Sequence, residues 1–238
     1  MPLQPADFYD LIYRYRDYAG EAMRLHGIIE RAKRAPGAAL LDVGCGAGAG
    51  LAFLRQHHYA VEGLDRDPAM LAAARAAHPG IPFHEGDMAD FRLDHAVDVI
   101  ICLFSAIGYV GTAPRLRQTL ANFRRHLRPG GLTIVEPWLP PERAAEGAFA
   151  PLLVAAEGRS VARLTENHVR DGHSLLTMHY LAQDADGVQY LREEHDLALF
   201  TAAEYEAAFA EAGFTVAHEP GGFADRERGL YVGLAPPA

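Results

Sequence analysis

Ala39-Leu40-Leu41-Asp42-Val43-Gly44-Cys45-Gly46-Ala47-Gly48-Ala49-Gly50 runs from an apolar strand through one acid into a glycine-rich turn. Glycine there permits positive φ and lets the backbone approach a ligand closely. The helix that follows turns its first amides toward the same ligand. This is the cofactor loop expected at the first strand of an α/β sheet. Gly44-x-Gly46-x-x-Ala49 also satisfies a dinucleotide pattern, with Asp65 near the ~20-residue spacing of a ribose contact. Asp42 argues against that reading, because a carboxylate just before the turn repels a pyrophosphate. S-adenosylmethionine has no phosphate and carries a sulfonium and an ammonium, so acids around the loop attract it. The plain alternative is a tight strand-to-helix turn with no ligand.

Further signals follow in order. Ala60-Val61-Glu62-Gly63-Leu64-Asp65 reads as a second strand ending in a carboxylate, where Asp65 can accept both ribose hydroxyls and Arg66 adjoins it. Asp67-Pro68 opens the next helix, with Asp67 as its cap. Met70 in its first turn suits an adenine face or the core equally. Ile81 to Met88 gives a third strand and loop. Asp87 there is a candidate for the adenine amine and Met88 for the ring, against a merely solvated loop acid. Val97 to Ser105 is a continuous apolar run, as a buried parallel strand requires, and its Leu103 end falls beside the cofactor. Leu132 to Trp138 is a fifth strand after the Pro129-Gly130-Gly131 turn. Thr215 to His218 and Gly229 to Leu234 make a last antiparallel pair.

This order resembles the class I S-adenosylmethionine-dependent methyltransferases over almost the whole chain. Phe8-Tyr9-Asp10-Leu11-Ile12-Tyr13, Gly86-Asp87-Met88-Ala89-Asp90-Phe91, Phe104-Ser105-Ala106-Ile107-Gly108-Tyr109, Glu136-Pro137-Trp138 and Arg228-Gly229-Leu230-Tyr231-Val232-Gly233 narrow it. They resemble the bacterial N,N-dimethyltransferases of TDP-amino sugars, which make deoxysugars such as desosamine and mycaminose for macrolide antibiotics. The resemblance implies an α/β fold: a Rossmann-like seven-stranded methyltransferase sheet with a terminal antiparallel hairpin, plus an inserted antiparallel β lid. It implies one methyltransferase domain over 1–238. Residues 1–35 form a helical cap, 38–138 the cofactor core, 139–200 the lid, and 201–238 the last helix and hairpin. It also implies S-adenosyl-L-methionine as cofactor, S-adenosyl-L-homocysteine as product, and N-methylation of a TDP-linked amino sugar. Two alternatives stay open: the same fold acting on another small N or O acceptor, and a non-catalytic cofactor-binding protein.

Through the resemblance, Tyr13 faces the substrate and Tyr18 is a candidate for the cofactor's carboxylate. The family's longer Gly-Lys-containing link is shortened here to Arg14-Tyr15-Arg16-Asp17, and Arg16 can supply the missing positive charge. Arg228 matches an arginine that can pair bidentately with a diphosphate; the alternative is a surface arginine beside Asp225 and Glu227. Phe104, Ser105 and Trp138, the only tryptophan, are expected to line the acceptor pocket. Leu139-Pro140-Pro141 stands where the family usually has a second aromatic, so the acceptor pocket departs from the pattern. The amine must lose a proton at some stage. Base candidates are His179 on one lid strand, and Glu194 with His195 on the next; His126 falls at the far sheet end.

Composition sets the outer bounds. The 238 residues are half hydrophobic, enough for a sizeable core. A net charge of −9 argues against nucleic acid as partner. No apolar run approaches the ~20 residues of a membrane span, and Met1 to Asp10 lacks the basic and apolar regions of a signal peptide. Cys45 and Cys102 fall in buried elements and are expected to stay reduced, so the expected location is cytoplasmic. His57-His58 are adjacent, and His168, His173 and His179 lack ligand spacing, so no metal is expected. Asp171-Gly172 and Asp186-Gly187 are hairpin signals in the lid. Exposed lid strands make a homodimer an expectation.

Overall fold

The computed structural model describes residues 8–149, 151–223 and 228–238. A seven-stranded sheet has, from edge to edge, the order β11 (Thr215–Glu219), β12 (Leu230–Leu234), β5 (Leu127–Val135), β4 (Val97–Cys102), β1 (Ala39–Val43), β2 (Ala60–Asp65) and β3 (Phe83–Glu85). β4 is the middle strand, and β1 beside it pairs parallel with β4 and β2; β12 alone runs against the rest, antiparallel to both β5 and β11. Every residue of β4 is buried, because helices cover both faces of the sheet.

Alternating side chains feed two cores. Leu41, Val43 and Ile100 pack with Leu120 and Phe123 of α5 (Ala113–His126) and Phe209 of α6 (Ala202–Glu211). Leu40, Val99 and Ile101 pack with Leu25 and Ile29 of α2 (Tyr18–Ala32) and Leu54 of α3 (Ala49–Arg55). Among the described residues the cap is shorter in helix than its sequence suggests. α1 covers only Tyr9–Ile12, and Asp17 starts α2 by accepting the Gly20 N–H at 2.9 Å. α4 (Pro68–Ala77) opens on Asp67, as its Asp-Pro pair requires.

β5 begins at Leu127, before the Pro129-Gly130-Gly131 turn, and ends at Val135, so Glu136 to Trp138 leave the sheet. Gly130 has φ 71°, and a Cβ on Gly131 would lie 2.9 Å from the Arg128 carbonyl. The glycines absorb a register shift against Val97 and Val99 and keep the strand in place.

The inserted lid is a separate antiparallel sheet in which β10 (Gly187–Ala198) pairs β9 (His173–Asp184) and β9 pairs β8 (Arg159–Arg170). β6 (Gly147–Ala148) and β7 (Leu152–Ala156) both run along the other edge of β8. Asp171 and Gly172 take φ of 51° and 79°, the two-residue turn their sequence signals. Glu157 and Gly158 form a second such turn, at 54° and 77°, between β7 and β8. At the other hairpin the connection is Ala185-Asp186, and Gly187 already pairs with Asp184. Val161, Tyr180 and Ala182 on the inner lid face pack on Phe8, Leu11 and Ile12 around α1, which ties lid to core.

Candidate active site

One cavity of about 800 Å³ lies between the C-terminal ends of the parallel strands and the inner face of the lid. Gly44 and Gly46 border it with φ of 76° and 54°. A Cβ on Gly44 would stand 2.6 Å from that of Ala106, so both conformation and space demand glycine there. Asp65 ends β2 and braces the loop: Oδ2 accepts the Gly46 N–H at 2.8 Å and Oδ1 accepts the Asp67 N–H at 3.0 Å.

Asp42 is buried in the same wall. Burial first, and then the nearby Asp65, push its carboxyl up to about 7, with Arg16 pulling the other way. Two acids forced together in a buried wall favour a cationic ligand. The sulfonium and ammonium of S-adenosylmethionine fit that need, and a pyrophosphate does not.

Arg16 is not a lone cation. Its Nε and Nη2 donate to Glu21 at 3.2 and 2.6 Å, and its guanidinium lies over the rings of Tyr18 (4.6 Å) and Phe104 (4.3 Å). Glu21 carries no mark in the sequence beyond its place in the first turn of α2. Asp87 also has an unforeseen partner. Arg115 Nη2 donates to both carboxylate oxygens at 2.9 and 2.8 Å, and the Ala89 N–H to Oδ1 at 2.8 Å. A carboxylate has about four acceptor sites, so Asp87 retains capacity for an amine. Arg66, Met70, Met88 and Leu103 line the cavity beside these groups.

After β4 the chain turns sharply. Phe104 and Ser105 both have positive φ, 52° and 63°, which side chains other than glycine rarely adopt. The buried Glu136 accepts the Phe104 N–H at 2.7 Å, and Ser105 Oγ donates to the Pro137 carbonyl at 2.8 Å. The β5 exit therefore holds the strained turn in place, a geometry common at functional sites. Arg228 Nη1 donates to Ser105 Oγ at 2.7 Å, and its guanidinium stacks 4.3 Å from the Trp138 ring centre. The alternative pairing with Asp225 and Glu227 lies outside the described residues. Tyr13 meets Phe104 edge-on at 5.2 Å and faces Arg163 across the cavity.

His179 requires a correction. Strand alternation puts Tyr180 on the inner lid face and His179 on the outer one, away from the cavity lining. There His179 Nδ1 bonds the Tyr190 hydroxyl at 2.6 Å. Glu194 borders the cavity, and its carboxylate is paired with Arg192 at 2.5 Å. Glu193, Arg163 and Tyr109, which local sequence signals do not single out, line the cavity together with His195. The period-2 pattern of Val188 to Asp196 is the available signal, since it sets Glu193 and His195 on one face. His126 is buried at the far end of α5, with Nδ1 on the Asn122 carbonyl and Nε2 accepting the Leu93 N–H.

A strand–glycine turn–helix with acids at the ends of β1 and β2, in this strand order, defines a class I S-adenosylmethionine-dependent methyltransferase. Comparison with known proteins agrees. A methyltransferase domain family matches residues 40–131. The dTDP-3-amino-3,4,6-trideoxy-alpha-D-glucopyranose N,N-dimethyltransferase of Streptomyces venezuelae is 39% identical over 96% of this chain and 97% of its own. The crystal structure of Streptomyces venezuelae DesVI superposes with a TM-score of 0.92 at 36% identity, covering 100% of both chains. The S-adenosylmethionine-bound CalS10 of Micromonospora echinaspora, an amino pentose methyltransferase of calicheamicin biosynthesis, gives 0.84 at 37% identity over 98% of each chain. The chain belongs to this family of sugar N-methyltransferases, and its cofactor is S-adenosylmethionine.

Proposed function

We propose that this enzyme methylates the amine of a TDP-linked amino sugar. The division of charge across one cavity carries this reading. The buried Asp42 and the half-buried Asp65 line the wall where a cationic cofactor belongs, and Arg228 stacked on Trp138 lines the part suited to a diphosphate. S-adenosylmethionine supplies an activated methyl group, so the protein's task is to align the amine and exclude water. Asp65 holds the ribose, Asp42 counters the positive charge, and Asp87 with Met88 receives the adenine. Tyr18 and Arg16 serve the cofactor's carboxylate. Tyr13, Phe104 and Ser105 wall the acceptor, and Arg228 binds the diphosphate. Mass spectrometry of reactions with a panel of TDP-amino sugars tests this. A gain of one or two methyl groups on one sugar is expected; no gain on any, with cofactor binding intact, discards the acceptor. Arg228→Lys loses the bidentate fork. It raises the KM for the sugar nucleotide about tenfold or more, at an unchanged cofactor Kd. An equal loss for both ligands moves Arg228 away from the diphosphate.

We further propose a cytoplasmic homodimer that buries the outer lid face. Leu153, Ala162, Leu181 and Tyr190 stand in register across β7, β8, β9 and β10. Leu153 is 80% and Tyr190 58% exposed, with Leu164 and Val188 beside them. Charged Arg192, Glu194 and Glu166 flank this apolar band, which suits a two-fold contact with itself. Leu181→Glu yields a monomer in multi-angle light scattering, with cofactor binding retained. A wild-type mass of one chain across the micromolar range refutes the dimer.

A further inference from the structure

An amino sugar enters as an ammonium, and its nitrogen has no lone pair for attack until a proton leaves. Each methyl transfer sheds one such proton. The lid and core meet at groups suited to take it. Tyr109, in the turn Ala106–Val110, bonds His195 Nδ1 through its hydroxyl at 2.7 Å. His195 Nε2 lies 3.7 Å from Glu193 Oε2, and Tyr180 donates to that same oxygen at 2.7 Å. Gly108 permits the approach, since a Cβ there would lie 3.1 Å from Leu197 of β10. The Tyr109 ring lies 5.4 Å from the Arg66 guanidinium, next to the ribose acid Asp65. Tyr13, the substrate-facing tyrosine, acts electrostatically on it from the acceptor side. The four side chains thus run from the junction of cofactor and acceptor to the open edge of the lid.

We propose that Tyr109, His195 and Glu193 form a proton relay that carries the proton of the acceptor ammonium out of the cavity. The proposal rests on the amine acceptor assigned above. The ammonium N–H bond breaks as Tyr109 Oη takes that proton, and the Tyr109 O–H proton passes to His195 Nδ1. The amine is left neutral with its lone pair, and the positive charge now rests on the imidazole beside Glu193. His195, whose side chain is 23% exposed, releases the proton to solvent. Tyr109 regains a proton as it gives one up, so no phenolate forms; burial, which pushes this phenol up, matches that role. Burial opposes the Glu193 charge, yet the nearby His195 and the hydrogen bond from Tyr180 hold it below the usual carboxylate range. It therefore stands ionised to receive an imidazolium. The charged and titratable groups around the relay are Tyr13, Asp65 and Arg66 at Tyr109, and Tyr180 and Arg163 at Glu193.

The test compares log kcat/KM against pH for wild type, His195→Gln, Tyr109→Phe and Glu193→Gln. At pH 7 the His195 and Tyr109 variants fall by about 100-fold or more, the usual weight of a positioned proton acceptor. They recover as pH rises to ~9.5, where bulk water has deprotonated a free amine near its ordinary ~8–10 range. Cofactor Kd stays unchanged. An equal loss at every pH, or no loss, overturns the relay. Should wild type methylate no amino sugar, the acceptor reading fails instead, and a second measurement judges the relay. In 15N-histidine spectra His195 Nδ1 is an acceptor at neutral pH and loses that signature in Tyr109→Phe. An Nδ1 found protonated in neutral His195 overturns the proposed direction of transfer.

Discussion

Asp65→Ala weakens S-adenosylmethionine binding about 100-fold, or ~3 kcal/mol, as measured by calorimetry. A carboxylate that accepts two ribose hydroxyls makes charge-assisted bonds of roughly 1.5–3 kcal/mol each, and alanine removes both. A second loss accompanies the first. Asp65 also accepts the Gly46 N–H, so the variant frees the loop that shapes the cofactor wall. Asp65→Asn separates the two, because an amide oxygen can still hold Gly46 without the charge. Its affinity falls between those of wild type and alanine. One gain offsets part of the loss: with Asp65 gone, Asp42 ionises at lower pH, since the two acids repel. Unchanged cofactor affinity in Asp65→Ala removes Asp65 from the site.

Much of this is legible in the sequence because the cofactor core uses local signals. Glycines before α3, acids ending β1 and β2, and a β4 apolar but for Asp98 each state their place in a parallel sheet. The lid is legible in outline through Asp171-Gly172 and Asp186-Gly187. Which side of it faces the cavity is not, and one position of register separates His179 from Tyr180. Long-range pairings leave no local mark at all. Arg115 reaches Asp87, Glu136 reaches Phe104, and His195 reaches Tyr109 only after separate elements close around the cavity. Arg16 shows the same limit: its charge is visible, but its capture by Glu21 depends on how Asp17 starts α2.

Asp42 makes both cofactor affinity and apoprotein stability depend on pH, in opposite senses. Its carboxyl sits near 3.8 when unfolded and near 7 in the folded apoprotein. The folded pKa is raised, so this group's contribution is greatest below 3.8 and is lost as pH rises toward 7. At pH 8 the buried charge costs up to about 4 kcal/mol, since each tenfold change in proton affinity is worth ~1.4 kcal/mol. Asp42→Asn removes that cost, so the apo variant melts higher than wild type at pH 8, and the gap closes toward pH 4. Cofactor binding has the reverse sign. A cation beside Asp42 favours its charged form, so binding between pH 5.5 and 7 expels a proton, and affinity climbs through this window. The cofactor's own α-amino group, near ~8, stays protonated throughout it. Calorimetry in two buffers of different ionisation heat counts the protons released at pH 6.5. Wild type releases a large fraction of one proton and Asp42→Asn almost none, while the variant binds at least tenfold more weakly at pH 8. Equal proton release from both proteins assigns the titration to another group. A destabilised Asp42→Asn apoprotein at pH 8 shows that Asp42 holds the fold rather than awaiting a cation.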